Sequence, residues 1–146
     1  MPAVDDVDEL IEQYHLALDE LYKGNPQLVK KLFSHREDVT LANPLVGLPA
    51  GGWQQAAETI EHAASQFRDG QIVGFENVAK YVTAELAYVV EIGRGKSKVG
   101  GREDIVPSAL RVTMIFRPEE DSTWKVVHRH ADPITTAQPA VSVIQE

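Results

Sequence analysis

Trp124-Lys125-Val126-Val127-His128-Arg129-His130-Ala131-Asp132-Pro133 is the stretch on which the fold turns. Its Val and Trp residues, interspersed with polar ones, read as a β-strand. Side chains alternate across a strand, so Trp124, Val126, His128, His130 and Asp132 share one face. Lys125, Val127, Arg129 and Ala131 share the other. Trp and Val make better core residues than Lys and Arg, so the even-numbered face is predicted to point inward. Both histidines and the aspartate then stand in or beside a cavity.

Working outward, this strand is the last of four, predicted at residues 71–82, 84–92, 106–116 and 123–131, all rich in Val, Ile, Tyr and Thr. Gly93, Gly95, Gly100 and Gly101 mark a long hairpin tip, and Glu119-Glu120-Asp121-Ser122 a tight polar turn. Strands that follow one another without helices pair antiparallel. Before them come three helices. Val7, Leu10, Ile11, Tyr14, Leu18, Leu21 and Tyr22 recur as one face of an amphipathic helix, which Gly24 is placed to end in a left-handed conformation. Asn25-Pro26 opens a second, with Leu28, Leu32 and Phe33 as its buried side. A third begins near Trp53, with Ala56, Ala57, Ile60, Ala63, Ala64 and Phe67 on one face. A short strand at 38–42 and a loop rich in Gly and Pro at 45–52 lie between the second and third helices. Helices first and sheet afterwards give an α+β fold, and a curved sheet wrapped round helices leaves a cavity between them.

Composition agrees with one domain spanning 1–146, its core at about 7–133 and a tail at 134–146. At 146 residues, 43% hydrophobic and 25% charged, the chain can bury a sizeable core. It has no cysteine, so thiolate chemistry and disulfides are excluded. A formal charge of −8 argues against nucleic-acid binding. The one loose basic cluster, Arg94, Lys96, Lys98 and Arg102, reads as a solvated hairpin tip. No apolar run approaches the roughly 18 residues that span a bilayer. The acidic N-terminal sequence lacks the pattern of a signal peptide, and a cytoplasmic location is expected.

Several segments resemble the SnoaL-like group of the nuclear transport factor 2-like, or cystatin-like, superfamily. They are Phe33-Ser34-His35-Arg36-Glu37-Asp38-Val39-Thr40-Leu41, Gly52-Trp53, Ala63-Ala64-Ser65-Gln66-Phe67, Leu86-Ala87-Tyr88, Leu110-Arg111-Val112-Thr113 and the block 124–133. The resemblance implies a cone-shaped α+β barrel, with three helices closing a strongly curved, mostly antiparallel sheet around a pocket. It also implies a homodimer through the outer sheet face. The superfamily contains ketosteroid isomerases, polyketide cyclases, dehydratases and members without catalysis, so the fold leaves activity open.

The candidate catalytic residues are His130, Asp132 and His128. A carboxylate beside a histidine orients one ring nitrogen and stabilises the protonated form, which suits a cofactor-free lyase or isomerase acting on a small carbonyl or hydroxyl compound. The same groups could instead bond one another and hold the fold together, as in a non-catalytic binding or accessory dimer. His-x-His can also bind zinc or iron, but a catalytic metal site needs a third protein ligand; neither metal nor cofactor is expected. Candidate ligand-binding residues are Tyr14, Asp38, Trp53, Tyr88 and Arg111. Ketosteroid isomerases carry a tyrosine on the first helix and an aspartate base near the first strand; Tyr14 and Asp38 are the counterparts by location. That family's second acid has no counterpart between Val112 and Phe116, which speaks against steroid isomerisation. Arg111 enters the pocket if the apolar face Leu110, Val112, Met114 and Phe116 serves the dimer, the arrangement that a long apolar outer face suits. With that face inside, Arg111 lies outside. Glu91 poses the same choice, and a solvated or salt-bridged carboxylate is expected there.

Overall fold

The computed structural model describes residues 2–145. Three helices, α1 (Pro2–Leu21), α2 (Gln27–Leu32) and α3 (Trp53–Ser65), pack on six strands: β1 (Thr40–Ala42), β2 (Ala50–Gly51), β3 (Phe67–Val82), β4 (Ala87–Val99), β5 (Val106–Pro118) and β6 (Trp124–Pro133). The sheet runs β2-β1-β6-β5-β4-β3. Every pairing is antiparallel except β1 with β6.

The expected α+β class and mostly antiparallel sheet are present. The sheet curls around the helices without closing into a barrel, since β2 and β3 remain its edges. Its curl has a local cause. Pairing of β3 with β4 shifts register between Arg68 and Gln71, Ile72 and Gly74, and Asn77 and Ala79, and each such irregularity bends a strand and adds twist. The glycines expected to end β4 instead lie within it, because Gly95 leaves room for the Tyr22 ring. A Cβ there would sit 2.4 Å from a ring carbon.

α1 lies in the concavity. Val7, Leu10, Tyr14, Ala17, Leu18 and Leu21 are buried along one stripe, and burying each large apolar side chain contributes roughly 1.5–3 kcal/mol. Gly24 ends the turn after α1 at φ 98°, a conformation costly for residues with a Cβ. The Asn25 side chain accepts a hydrogen bond from the Gln27 amide, 3.1 Å. In α2 the buried residue is Val29, with Leu28 exposed. Phe33 is buried as expected, but Val29 takes the inward place expected of Leu28.

On β5, Val112, Met114 and Phe116 are buried against the helices. On β4, Ala87, Val89 and Glu91 face the same way. The apolar face of β5 is therefore the core face, and Arg111 points outward. This reverses the arrangement favoured above: the helices cover the apolar face, so it is not left for a dimer.

Candidate functional site

Pairing along β6 decides which side chains meet the cavity. Phe116 pairs with Val126, whereas the next residue of β5, Ile115, pairs with His128. Val127 is thus an extra residue on β6, a β-bulge. Alternation resumes beyond it with the opposite parity. Trp124 and Val126 are buried before the bulge, Arg129 and Ala131 after it. His128 is half-buried and His130 exposed. The even-numbered face expected inward is inward only up to Val126, and His128, His130 and Asp132 are turned to the outer face.

Between helices and sheet lies a cavity of about 110 Å³, several times the roughly 10–15 Å³ that holds one water. Tyr14 and Leu18 of α1, Ile60 of α3, Phe75 of β3, Leu110 of β5 and Ala131 of β6 are among its walls. Asn43, Pro44 and Leu45 line one side, where the chain is partly exposed, so this loop forms the rim. The wall is apolar apart from a few groups, among them the buried Tyr14, Tyr22 and Arg129.

Arg129 is only 8% exposed. Its guanidinium carbon stands 5.5 Å from the centroid of the Tyr14 ring, a cation–π contact. Its Nε is buried without a hydrogen-bond partner. Burial raises the Tyr14 phenol above its ordinary 10.0, with Arg129 pulling it down and Glu91 pushing it up; the phenol therefore stays protonated at neutral pH.

Glu91 is 3% exposed and faces α1. His15 Nε2 lies 3.0 Å from each of its carboxylate oxygens, and the His15 ring stacks on Phe75 at 3.4 Å. The salt-bridged alternative describes Glu91, with the partner on a helix. His15 escapes sequence reasoning: it sits off the apolar stripe, and nothing in its surroundings in sequence points to an acid 76 positions away.

The remaining candidates are dispersed. Tyr14 lines the cavity. Asp38 is exposed and paired with Arg117 at 2.6 and 2.8 Å, which holds its carboxyl below the usual range; it faces away from the cavity because Val39 and Leu41 take the inward positions of that segment. Trp53 stacks on His35 at 3.8 Å and is not a cavity wall. Tyr88 stacks on Tyr81 at the outer face, since Ala87 and Val89 occupy the inward positions. Arg111 binds Asp132 through two bonds of 2.8 and 3.0 Å, also outside, and this pairing lowers the Asp132 carboxyl. His130 Nε2 is 3.8 Å from Asp132. His128 Nδ1 lies 2.7 Å from the Thr40 hydroxyl, and burial depresses its pKa below 6.5, helped by His130. Arg111, His130 and Asp132 rim a groove on the outer face with Val78, Val90, Ile92 and Thr113. Among the described residues no three His, Asp or Glu side chains are arranged to hold a metal ion, and no helix is long and apolar enough to cross a membrane.

No family model matches the chain, and no curated protein matches it. Solved structures do. An NTF2-like superfamily protein from Salmonella enterica serovar Typhimurium superposes with a TM-score of 0.73 at 19% identity, covering 91% of this chain and 92% of its own. A ketosteroid isomerase-like protein from Erwinia carotovora gives 0.71 at 16% identity over 88% and 93%. A protein of unknown function with a cystatin-like fold from Nostoc punctiforme gives 0.67 at 14% identity over 90% of each chain. Likeness at these identities speaks for architecture and not for chemistry. The chain shares the cystatin-like α+β fold of these solved structures.

Proposed function

We propose that this chain is a small-molecule-binding protein whose ligand occupies the cavity between α1, α3 and the inner sheet face. The observation that carries this reading is the cavity itself: an apolar chamber, rimmed by a partly exposed loop, into whose wall the fold places a buried arginine. Binding sites are commonly concave and apolar, with a few placed polar groups. The neighbouring ketosteroid isomerase-like protein supports a small organic ligand as the occupant, by analogy of fold.

A binding role without turnover fits these residues better than the lyase or isomerase reading. His130 and Asp132 stand on the opposite face of the sheet from the cavity, so they could serve only a substrate held outside it. Inside, the protonated Tyr14 and the Arg129 cation can orient an oxygen, but neither is a base at neutral pH. We further propose that the outer groove around Val90, Ile92 and Thr113 is covered in a homodimer; a sedimentation mass of one chain contradicts this.

The test is binding of indole, a neutral fused two-ring probe, followed by ligand-observed NMR. Ala131→Leu projects a larger side chain into the cavity. Indole should bind the wild type saturably and lose at least about tenfold in affinity in Ala131→Leu, while the variant keeps a cooperative melt. Undiminished binding to a folded Ala131→Leu sinks the cavity reading.

A further inference from the structure

Resting on the cavity as the binding site, we propose that its ligand is a small organic acid: an apolar ring or short chain carrying one carboxylate, for which Arg129 is the counter-ion.

Three observations point there. First, Arg129 is deeply buried, yet none of the ion pairs among the described residues involves it. Buried charges in proteins are normally paired, because desolvating an ion is costly. Arg117, the other arginine with a buried, unpartnered Nε, shows the contrast. Its guanidinium is held by Asp38 and by Glu119, at 2.6 and 3.1 Å. The chain carries 22 acids against 14 Lys and Arg, so an unpaired buried arginine does not follow from a shortage of carboxylates.

Second, the neighbouring groups that could neutralise Arg129 are otherwise engaged. Glu91 spends both carboxylate oxygens on His15. Tyr14 offers its ring face, and burial keeps its phenol protonated despite the adjacent cation. The cation–π contact offsets only part of the desolvation cost.

Third, Arg129 lines the cavity, in a wall otherwise built from side chains such as Leu18, Ile60 and Leu110. A guanidinium presents a planar fork that matches a carboxylate through two parallel bonds. The apolar walls then take the rest of the molecule. A polyanion would leave charge against leucines and isoleucines, so a single acid group is the chemistry that fits.

The experiment titrates the full chain by calorimetry with acids matched to their primary amides: phenylacetate with phenylacetamide, benzoate with benzamide, hexanoate with hexanamide. Arg129→Met keeps length and removes the charge; Arg129→Lys keeps charge and loses the fork. The wild type should bind at least one acid about tenfold or more tightly than its amide. Arg129→Met should erase that preference while still binding the amide. Arg129→Lys, which covers the case of a misfolded Met variant, should keep a reduced preference. Amides bound as tightly as acids by the wild type overturn the inference and leave the cavity reading standing. An acid preference unchanged in both variants removes Arg129 as the counter-ion. Absence of binding by every acid and every amide removes the cavity reading itself, and this inference with it.

Discussion

Arg129 of β6 and Tyr14 of α1 meet face-on inside the fold, guanidinium carbon to ring centroid 5.5 Å, with the arginine 8% exposed. The contact joins the last strand to the first helix across the cavity. It also sets a charge with which no acid among the described residues pairs, and that imbalance has thermodynamic consequences.

In the ligand-free protein, Arg129→Met should leave stability unchanged or raise it by about 1 kcal/mol. Replacing an uncompensated buried ion by an apolar side chain of similar length recovers its desolvation cost, and this offsets the lost cation–π contact of about 0.5–2 kcal/mol. Urea unfolding checks it. A loss well above 2 kcal/mol would mean that the native structure already compensates the charge.

The bulge at Val127 makes a clean labelling experiment, because the chain has no cysteine of its own. His130→Cys and Ala131→Cys differ by one position and should differ by about a hundredfold or more in maleimide reactivity, the second being protected. Ala131 is 1% exposed, whereas the His130 side chain is 55% exposed. The reverse order, with His130→Cys protected and Ala131→Cys reactive, would restore the unbulged strand.

Glu91 and His15 fasten α1 to β4. Glu91→Ala leaves the His15 ring without its acceptor beside a new void, and should cost about 2–3 kcal/mol. Glu91→Gln keeps an oxygen acceptor and should cost markedly less. Chemical denaturation of the pair decides it; a neutral Glu91→Ala would mean that the contact is incidental.

His128 makes stability pH-dependent. Burial lowers its folded-state pKa below the ordinary 6.5, so the unfolded chain binds the proton more readily and stability rises with pH in this window. Its contribution is full above 6.5 and is lost on acidification from there down through the folded-state value. His128→Gln should flatten the melting temperature between about pH 7.5 and 5 relative to the wild type. Parallel profiles for the two proteins would count against this.

The architecture is written plainly in the chain, and the site is not. The stripe Val7, Leu10, Tyr14, Leu18 and Leu21 is periodic enough to place α1 and its buried face, and runs of Val, Ile and Tyr place the sheet. What misleads is phase. Alternation predicts faces only while each residue opposes one partner, and at Val127 two residues of β6 oppose one of β5. The sequence carries faint marks of this: Val126-Val127 breaks the alternation of apolar residues, and Ala131 sits between two polar neighbours. Lys and Arg together also look alike on a pattern of hydrophobicity, although here Lys125 reaches the surface and Arg129 the interior. The His15–Glu91 pair is set by how a helix lies across a sheet, which no local spacing encodes. Arg111 and Asp132 meet as a pair, but on the outer face, because the helices claim Val112 and Met114.

The most direct test of the cavity as the binding site is backbone and side-chain NMR shift mapping on the isotope-labelled chain during titration with indole. Saturable shifts centred on Tyr14, Ile60, Leu110, Arg129 and Ala131, at one indole per chain, are the expected result. Shifts confined to Val90, Ile92, Thr113 and His130, with the inner residues silent, would place binding on the outer sheet face and contradict it.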